Sequence, residues 1–220
     1  MFHDRLDAGR TLGRVLAEEP VSDAPVVLGL PRGGVVVAAV VAERLRAQLD
    51  VIGVRKLGLP GHEQFAIGAL GEDGVVVYDR ETIDRVGLSQ ESLAIVEHGQ
   101  HLALDRRLAA LRPHREPVPI SGRNVVIVDD GVATGQTARA AIAVARARGA
   151  AHVTFAAPVG SERAVGELEQ IADRVVVPIV SAQFSAVSHW YDDFHEVTDD
   201  DVASLLDAVR SAHAVSSVRR

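Results

Sequence analysis

Five short apolar runs punctuate the chain, at residues 26–30 (VVLGL), 49–54 (LDVIGV), 125–129 (VVIVD), 152–159 (HVTFAAPV) and 174–180 (RVVVPIV). Each is rich in β-branched residues and mostly apolar at consecutive positions, the pattern of a strand covered on both faces. The stretches between most of them carry the other period. Residues 34–48 and 89–113 space their apolar positions as helices do, and the segment from Thr137 closes on Gly149 with arginines in its last turn. Residues 1–20 read as an amphipathic surface helix, with apolar positions at helical spacing and charges throughout. Strands alternating with helices predict an α/β fold: a doubly wound, five-stranded parallel sheet in one domain spanning residues 1–220.

Two segments interrupt this alternation. Residues 55–79 form a glycine-rich connection that is long for a compact domain and ends in the hairpin-like GALGEDGVVV, so a flexible flap is expected there. Near the C-terminal end, FSAVSHWYDDF (184–194) gathers four of the eight aromatic residues, including the one Trp, and suggests a small hood over about residues 178–200.

Composition narrows the partners. With 30 acidic against 23 basic residues, a net charge of −7 and a pI near 5.7, the chain has no basic footprint for nucleic acid or a membrane surface, and a small-molecule ligand fits better. The most apolar region, residues 24–42, carries Pro31, Arg32 and two glycines at its centre, so it reads as strand, loop and helix rather than a membrane span. The absence of cysteine excludes disulfides and thiolate chemistry and suits a reducing cytoplasm. The histidines of EHGQH (97–101) have the wrong order for a zinc-protease helix.

The chemistry concentrates in NVVIVDDGVATGQT, residues 124–137. If the strand order is 2-1-3-4-5, it reverses between the first and third runs, and the loops that follow them, PRGG (31–34) and DGVATGQT (130–137), face one crevice. Thr134, Gly135, Gln136 and Thr137 open a helix, whose unpaired N–H groups and positive dipole end favour a phosphate. Asp129 and Asp130 at the same mouth would repel that phosphate, so they must face a neutral or cationic part of the ligand, such as sugar hydroxyls or a divalent metal. A ribose 5-phosphate satisfies both halves. A phosphoryl-transfer NTPase would need the Lys of Gly-Lys-Ser/Thr, a dinucleotide enzyme would need G-x-G-x-x-G, and neither is present.

VVIVDDGVATGQT closely resembles the phosphoribosyl pyrophosphate (PRPP) motif of the type I phosphoribosyltransferases. The resemblance implies that Asp129 and Asp130 contact the ribose hydroxyls and that Ala133, Thr134, Gly135, Gln136 and Thr137 surround the 5-phosphate. GLPRGG resembles the family's pyrophosphate loop, with Arg32, Gly33 and Gly34 as ligands. VRKLG resembles its basic segment, with Arg55 and Lys56 reaching the pyrophosphate, and GHEQFAIGAL (61–70) resembles the flap of a bacterial subgroup. The expected reaction is Mg²⁺-dependent transfer of a 5-phosphoribosyl group from PRPP to a nitrogenous base or related heterocycle, with release of pyrophosphate.

In that reaction Arg55, Lys56, Asp130 and the flap residue Glu63 are the candidate catalytic residues, with His62 a further contributor. Asp129 and Asp130 touch Mg²⁺ only indirectly, and Phe184, Val187, Trp190 and Tyr191 line the acceptor base. Family resemblance also implies a homodimer. The rival reading keeps the fold and discards the chemistry: a non-catalytic regulator that senses PRPP or nucleotides.

Overall fold

The computed structural model describes residues 1–18, 25–59, 62–113 and 116–218. In chain order its elements are α1 (Arg5–Glu18), β1 (Val26–Gly29), α2 (Gly33–Leu45), β2 (Gln48–Val51), β3 (Val54–Leu59), β4 (His62–Gly71), β5 (Val76–Tyr78), α3 (Arg80–Val86) and α4 (Gln90–Leu111). There follow β6 (Asn124–Val128), α5 (Gln136–Ala147), β7 (His152–Ala156), β8 (Val159–Ser161), α6 (Glu162–Leu168), β9 (Arg174–Val176), β10 (Ile179–Ser181) and α7 (Asp199–Val218).

The central sheet has the order β2-β1-β6-β7-β9, and every pair in it is parallel. This is the expected 2-1-3-4-5 winding. The pleat divides each strand between two cores. Val27, Val126 and Val128 face a layer built by α1, α2 and α7, while Val26, Leu28, Val125, Ile127 and Phe155 face one built by α5 and α6. Consecutive apolar residues are therefore required, and each fully buried Val, Leu or Ile contributes about 1.5–3 kcal/mol relative to exposure.

Four of the five runs are shorter as strands than as apolar stretches, the first by its last residue alone. The run at 49–54 leaves the central sheet after Val51, and Val54 already begins β3. The runs at 152–159 and 174–180 break before Pro158 and Pro178, which have no N–H to extend a ladder. The residues beyond them, β8 and β10, pair as a separate two-stranded parallel sheet. The helix expected over 34–48 ends at Leu45, where Arg46 turns left-handed (φ 53°) and hands the chain to β2.

The segment expected as a flap is an antiparallel sheet of order β3-β4-β5, with the hairpin between its last two strands. It has its own core: Leu57, Ile67 and Leu70 pack on Leu104 of α4. A buried ionic knot ties its root to the central sheet. Arg112, just after α4, donates from Nη2 to Glu72 Oε1 (2.6 Å) and to the Val51 carbonyl (3.0 Å), and its Nε lies 2.9 Å from Asp50 Oδ1. The acids are satisfied in turn by main-chain N–H groups: Gly53 donates to Glu72 (2.8 Å), and Val51 and Val118 donate to Asp50 (2.8 and 2.7 Å).

Candidate active site

The loops after β1 and β6 meet at the carboxyl ends of the central strands, where the strand order reverses. Leu30 N–H donates to the Val128 carbonyl (2.9 Å), which stitches the two loop roots together. The Pro31–Arg32 peptide is cis. Gly33 then passes so close to the second loop that a Cβ there would overlap the Asp130 carboxylate and Arg5 Nε, so a larger residue would have to displace that ion pair.

The second loop is braced from below by β8. Val132 N–H donates to Val159 O (2.9 Å), Ser161 N–H to Val132 O (2.9 Å), and Ser161 Oγ to Ala133 O (2.6 Å). Gly135 is the N-cap of α5 at φ 71°, a conformation that costs a side-chain-bearing residue about 1–2 kcal/mol. That turn leaves Ala133, Thr134, Gln136 and Thr137 exposed around the helix start, two residues later than the sequence suggested, with the first amides of α5 lacking intrahelical acceptors. An anion-binding cradle results.

The two acids stand in different environments. Asp129 is only partly exposed, and its Oδ1 accepts the Asp130 N–H (2.9 Å). Burial and then the neighbouring Asp130 charge push its carboxyl well above the ordinary 3.8. Asp130 is gripped by Arg5, which the sequence did not mark, and by Tyr191, which was expected at the acceptor base. Arg5 of α1 donates from Nε to Asp130 Oδ2 (2.8 Å) and from Nη1 to the His195 carbonyl (2.9 Å), and its guanidinium lies 3.8 Å from the centre of the Phe194 ring. The Tyr191 hydroxyl donates to the Asp130 carbonyl (2.5 Å). Burial and the Asp130 charge hold that phenol far above its usual range, so it remains a donor. One signal could have found Arg5: the inward face of α1 is Arg5, Ala8, Gly9, Leu12, Gly13 and Leu16, and the arginine falls on that stripe.

The cations are dispersed. Arg32 reaches away to Glu196 (2.9 Å) at the surface. Lys56 lines a groove of about 870 Å³ between the flap sheet and α5, beside Ala133, Thr134 and Gln136 of the phosphate loop. Arg55 precedes it on the same strand, so the pleat turns it to the opposite face with Leu57. The adjacent basic pair expected to act together is thus split, and Lys56 is the member facing the loop. His62 is exposed at the start of β4; Glu63 follows it, and its side chain lies outside the described residues.

In the hood, Phe184 and Trp190 stack on each other (centroids 6.0 Å apart, 16° between planes), while Tyr191 is buried between Phe2 and Phe194. Val187 fills the space that a Cβ on Gly131 would need, which keys the hood into the phosphate loop. Of the four aromatic-cluster residues expected at an acceptor base, Tyr191 and Val187 therefore have structural partners, and the Phe184–Trp190 stack is partly exposed.

No cluster of three or more metal-ligating side chains occurs among the described residues. Asp129 and Asp130 each have one oxygen engaged within the protein, which suits a hard cation held mainly by ligand oxygens and touched by the protein at one or two points. Among the described residues no helix is long and apolar enough to cross a membrane.

Residues 12–192 match the family model of the phosphoribosyl transferase domain. Two curated Mycobacterium tuberculosis relatives, from strains CDC 1551 and H37Rv (Rv0571c in the latter), are named provisionally as phosphoribosyl transferases. Both are 46% identical over 207 residues, 94% of this chain. The chain spans about half the length of these relatives (46%). The crystal structure of TT1426 from Thermus thermophilus superposes with a TM-score of 0.87 at 45% identity, covering 93% of this chain and 97% of that one.

Proposed function

The chain belongs to the phosphoribosyl transferase family, and on that footing we propose that it transfers a 5-phosphoribosyl group from PRPP to a nitrogen of a base or related heterocycle, releasing pyrophosphate. The observation that carries this reading is the juxtaposition of two unlike sites in one crevice: an anion cradle at the start of α5 and a carboxylate pair one turn of loop before it. A ribose 5-phosphate spans them, with its phosphate on the amides of residues 133–137 and its vicinal hydroxyls donating to Asp129 and Asp130.

With the sugar so fixed, a pyrophosphate on its anomeric carbon would lie along the main chain of the loop at Arg32, Gly33 and Gly34, which the two glycines let pack closely against Asp129 and Asp130. The bond from that carbon to pyrophosphate breaks, positive charge builds on the ribose, and the acceptor nitrogen's lone pair forms the new bond. Lys56, across the groove from the phosphate loop, balances the leaving charge in this reading, and Arg32 joins it by exchanging Glu196 for the pyrophosphate. Asp129 and Asp130 are the residues that would help to hold a bound Mg²⁺, which would supply charge neutralisation of the leaving group. The exposed Phe184–Trp190 edge is the surface offered to a planar acceptor.

The test is pyrophosphate release when the protein meets PRPP, Mg²⁺ and a panel of purine, pyrimidine and pyridine bases. Base-dependent release is expected. PRPP binding without release under any base would favour a sensor on the same fold, and no PRPP binding at all would remove the reading.

A further inference from the structure

Arg5 has no part in the reaction just described, yet it is the most unusual residue near the site. It lies 125 positions from Asp130 in sequence, and the two side chains are 8% and 14% exposed. A guanidinium on the inward face of a helix is costly unless charge and hydrogen bonds compensate it. Here its fork is divided between Asp130 and the hood main chain at His195, and its face lies over Phe194. The segment before α1 is itself stitched to the hood: Phe2 N–H donates to Trp190 O (2.8 Å), Asp192 N–H to Phe2 O (2.9 Å) and Asp193 N–H to His3 O (2.8 Å).

We propose that Arg5 is a positioning residue for the ribose end of the site, fixing the Asp130 carboxylate and balancing the charge of the acid pair so that its free oxygen meets a sugar hydroxyl. This rests on the phosphoribosyl reading and extends it to a residue of the N-terminal helix. Two carboxylates side by side, approached by a phosphorylated sugar, repel both each other and the ligand. Arg5 supplies a fixed countercharge from the hood side of Asp130, where it also meets His195 and Phe194. Its planar fork can hold Asp130 and His195 together, whereas an ammonium at the same place keeps the charge and loses that geometry. The hood and the ribose acid are therefore oriented by one side chain.

The test is calorimetric titration of ribose 5-phosphate, and separately of inorganic phosphate, into wild type, Arg5→Lys and Arg5→Gln. Arg5→Gln should weaken ribose 5-phosphate roughly ten- to hundred-fold, as expected for removing a hydrogen bond to a charged group. Arg5→Lys should recover part of the loss, and inorganic phosphate should bind all three alike because the α5 amides are untouched. Emission from Trp190, the one tryptophan, reports whether the hood remains docked. If Arg5→Gln undocks it, the Lys variant carries the comparison. Equal ribose 5-phosphate affinity across the variants would overturn the proposal, and so would tighter binding, which would make Arg5 a competitor for Asp130. A wild type that binds ribose 5-phosphate no better than inorganic phosphate would instead remove the phosphoribosyl reading beneath it.

Discussion

At the root of the flap sheet, Arg112 lies between Asp50 and Glu72, and main-chain N–H groups of three residues complete the shells of those acids. At the crevice, Arg5 holds one oxygen of Asp130, while Asp129 beside it is left with a protonation state that burial and its neighbour disfavour when charged. Both are arginine–carboxylate pairs in the interior, but the first is closed and the second is open. A closed knot has its charges answered inside the protein, although Arg112 Nε makes an ion pair without a hydrogen bond, and it fixes the position of the flap relative to the central sheet. An open one retains acceptor capacity that a ligand can complete, and it stores unfavourable charge until that happens.

The largest effect should come from opening the closed knot. Arg112→Ala would take the nearest cation from two buried carboxylates, leaving Arg210 3.6 Å from Asp50 and Arg148 3.9 Å from Glu72, and cost about 3–5 kcal/mol, a Tm loss of about 10 °C in a chain of this size, measured by calorimetry. Asp130→Asn acts on the other kind: kcat/KM for PRPP should fall roughly 10²- to 10³-fold while Tm falls less than in Arg112→Ala, because the amide oxygen still accepts from Arg5 and the repulsion with Asp129 is relieved, and Lys56→Ala should lower the rate by a similar factor. An equal loss of stability in Arg112→Ala and Asp130→Asn would erase the distinction.

Asp129→Asn should reveal the stored charge directly. An acid whose folded-state pKa lies above its unfolded value binds its proton more tightly when folded. Its contribution to stability is therefore present at low pH and is lost as pH rises from the ordinary 3.8 through the raised value. The Asn variant escapes that loss, so its Tm should exceed wild type at neutral pH and converge with it in acid. The smallest effect belongs to the exposed Arg32–Glu196 pair, worth less than about 1 kcal/mol. Glu196→Gln should leave Tm nearly unchanged while releasing Arg32, which lowers KM for PRPP in steady-state assays.

The strand order and the meeting of the two loops were legible because consecutive apolar residues and turn chemistry are local signals. The sheet within residues 55–79 was less so: its strands are irregular, with register shifts after Leu57 and Gly58, and its glycines resemble those of a loop. Arg5, Asp50, Glu72 and Arg112 were not found, because each finds its partners tens to over a hundred positions away. Such pairings leave only a faint mark in sequence, a charged residue on an otherwise apolar face, as with Arg5 on α1 or Asp50 inside an apolar run. The division of Arg55 from Lys56 follows from the pleat, but only once the segment is known to be a strand.

The contact between Val187 and Gly131 bears on any effort to change the acceptor by grafting a hood from a relative. A bulkier side chain at 187 would press on the turn that shapes the anion cradle, so a swap aimed at one substrate would disturb affinity for the other. The two halves of the specificity problem share a hinge pin one methyl group wide, and a successful graft would have to carry both sides of it.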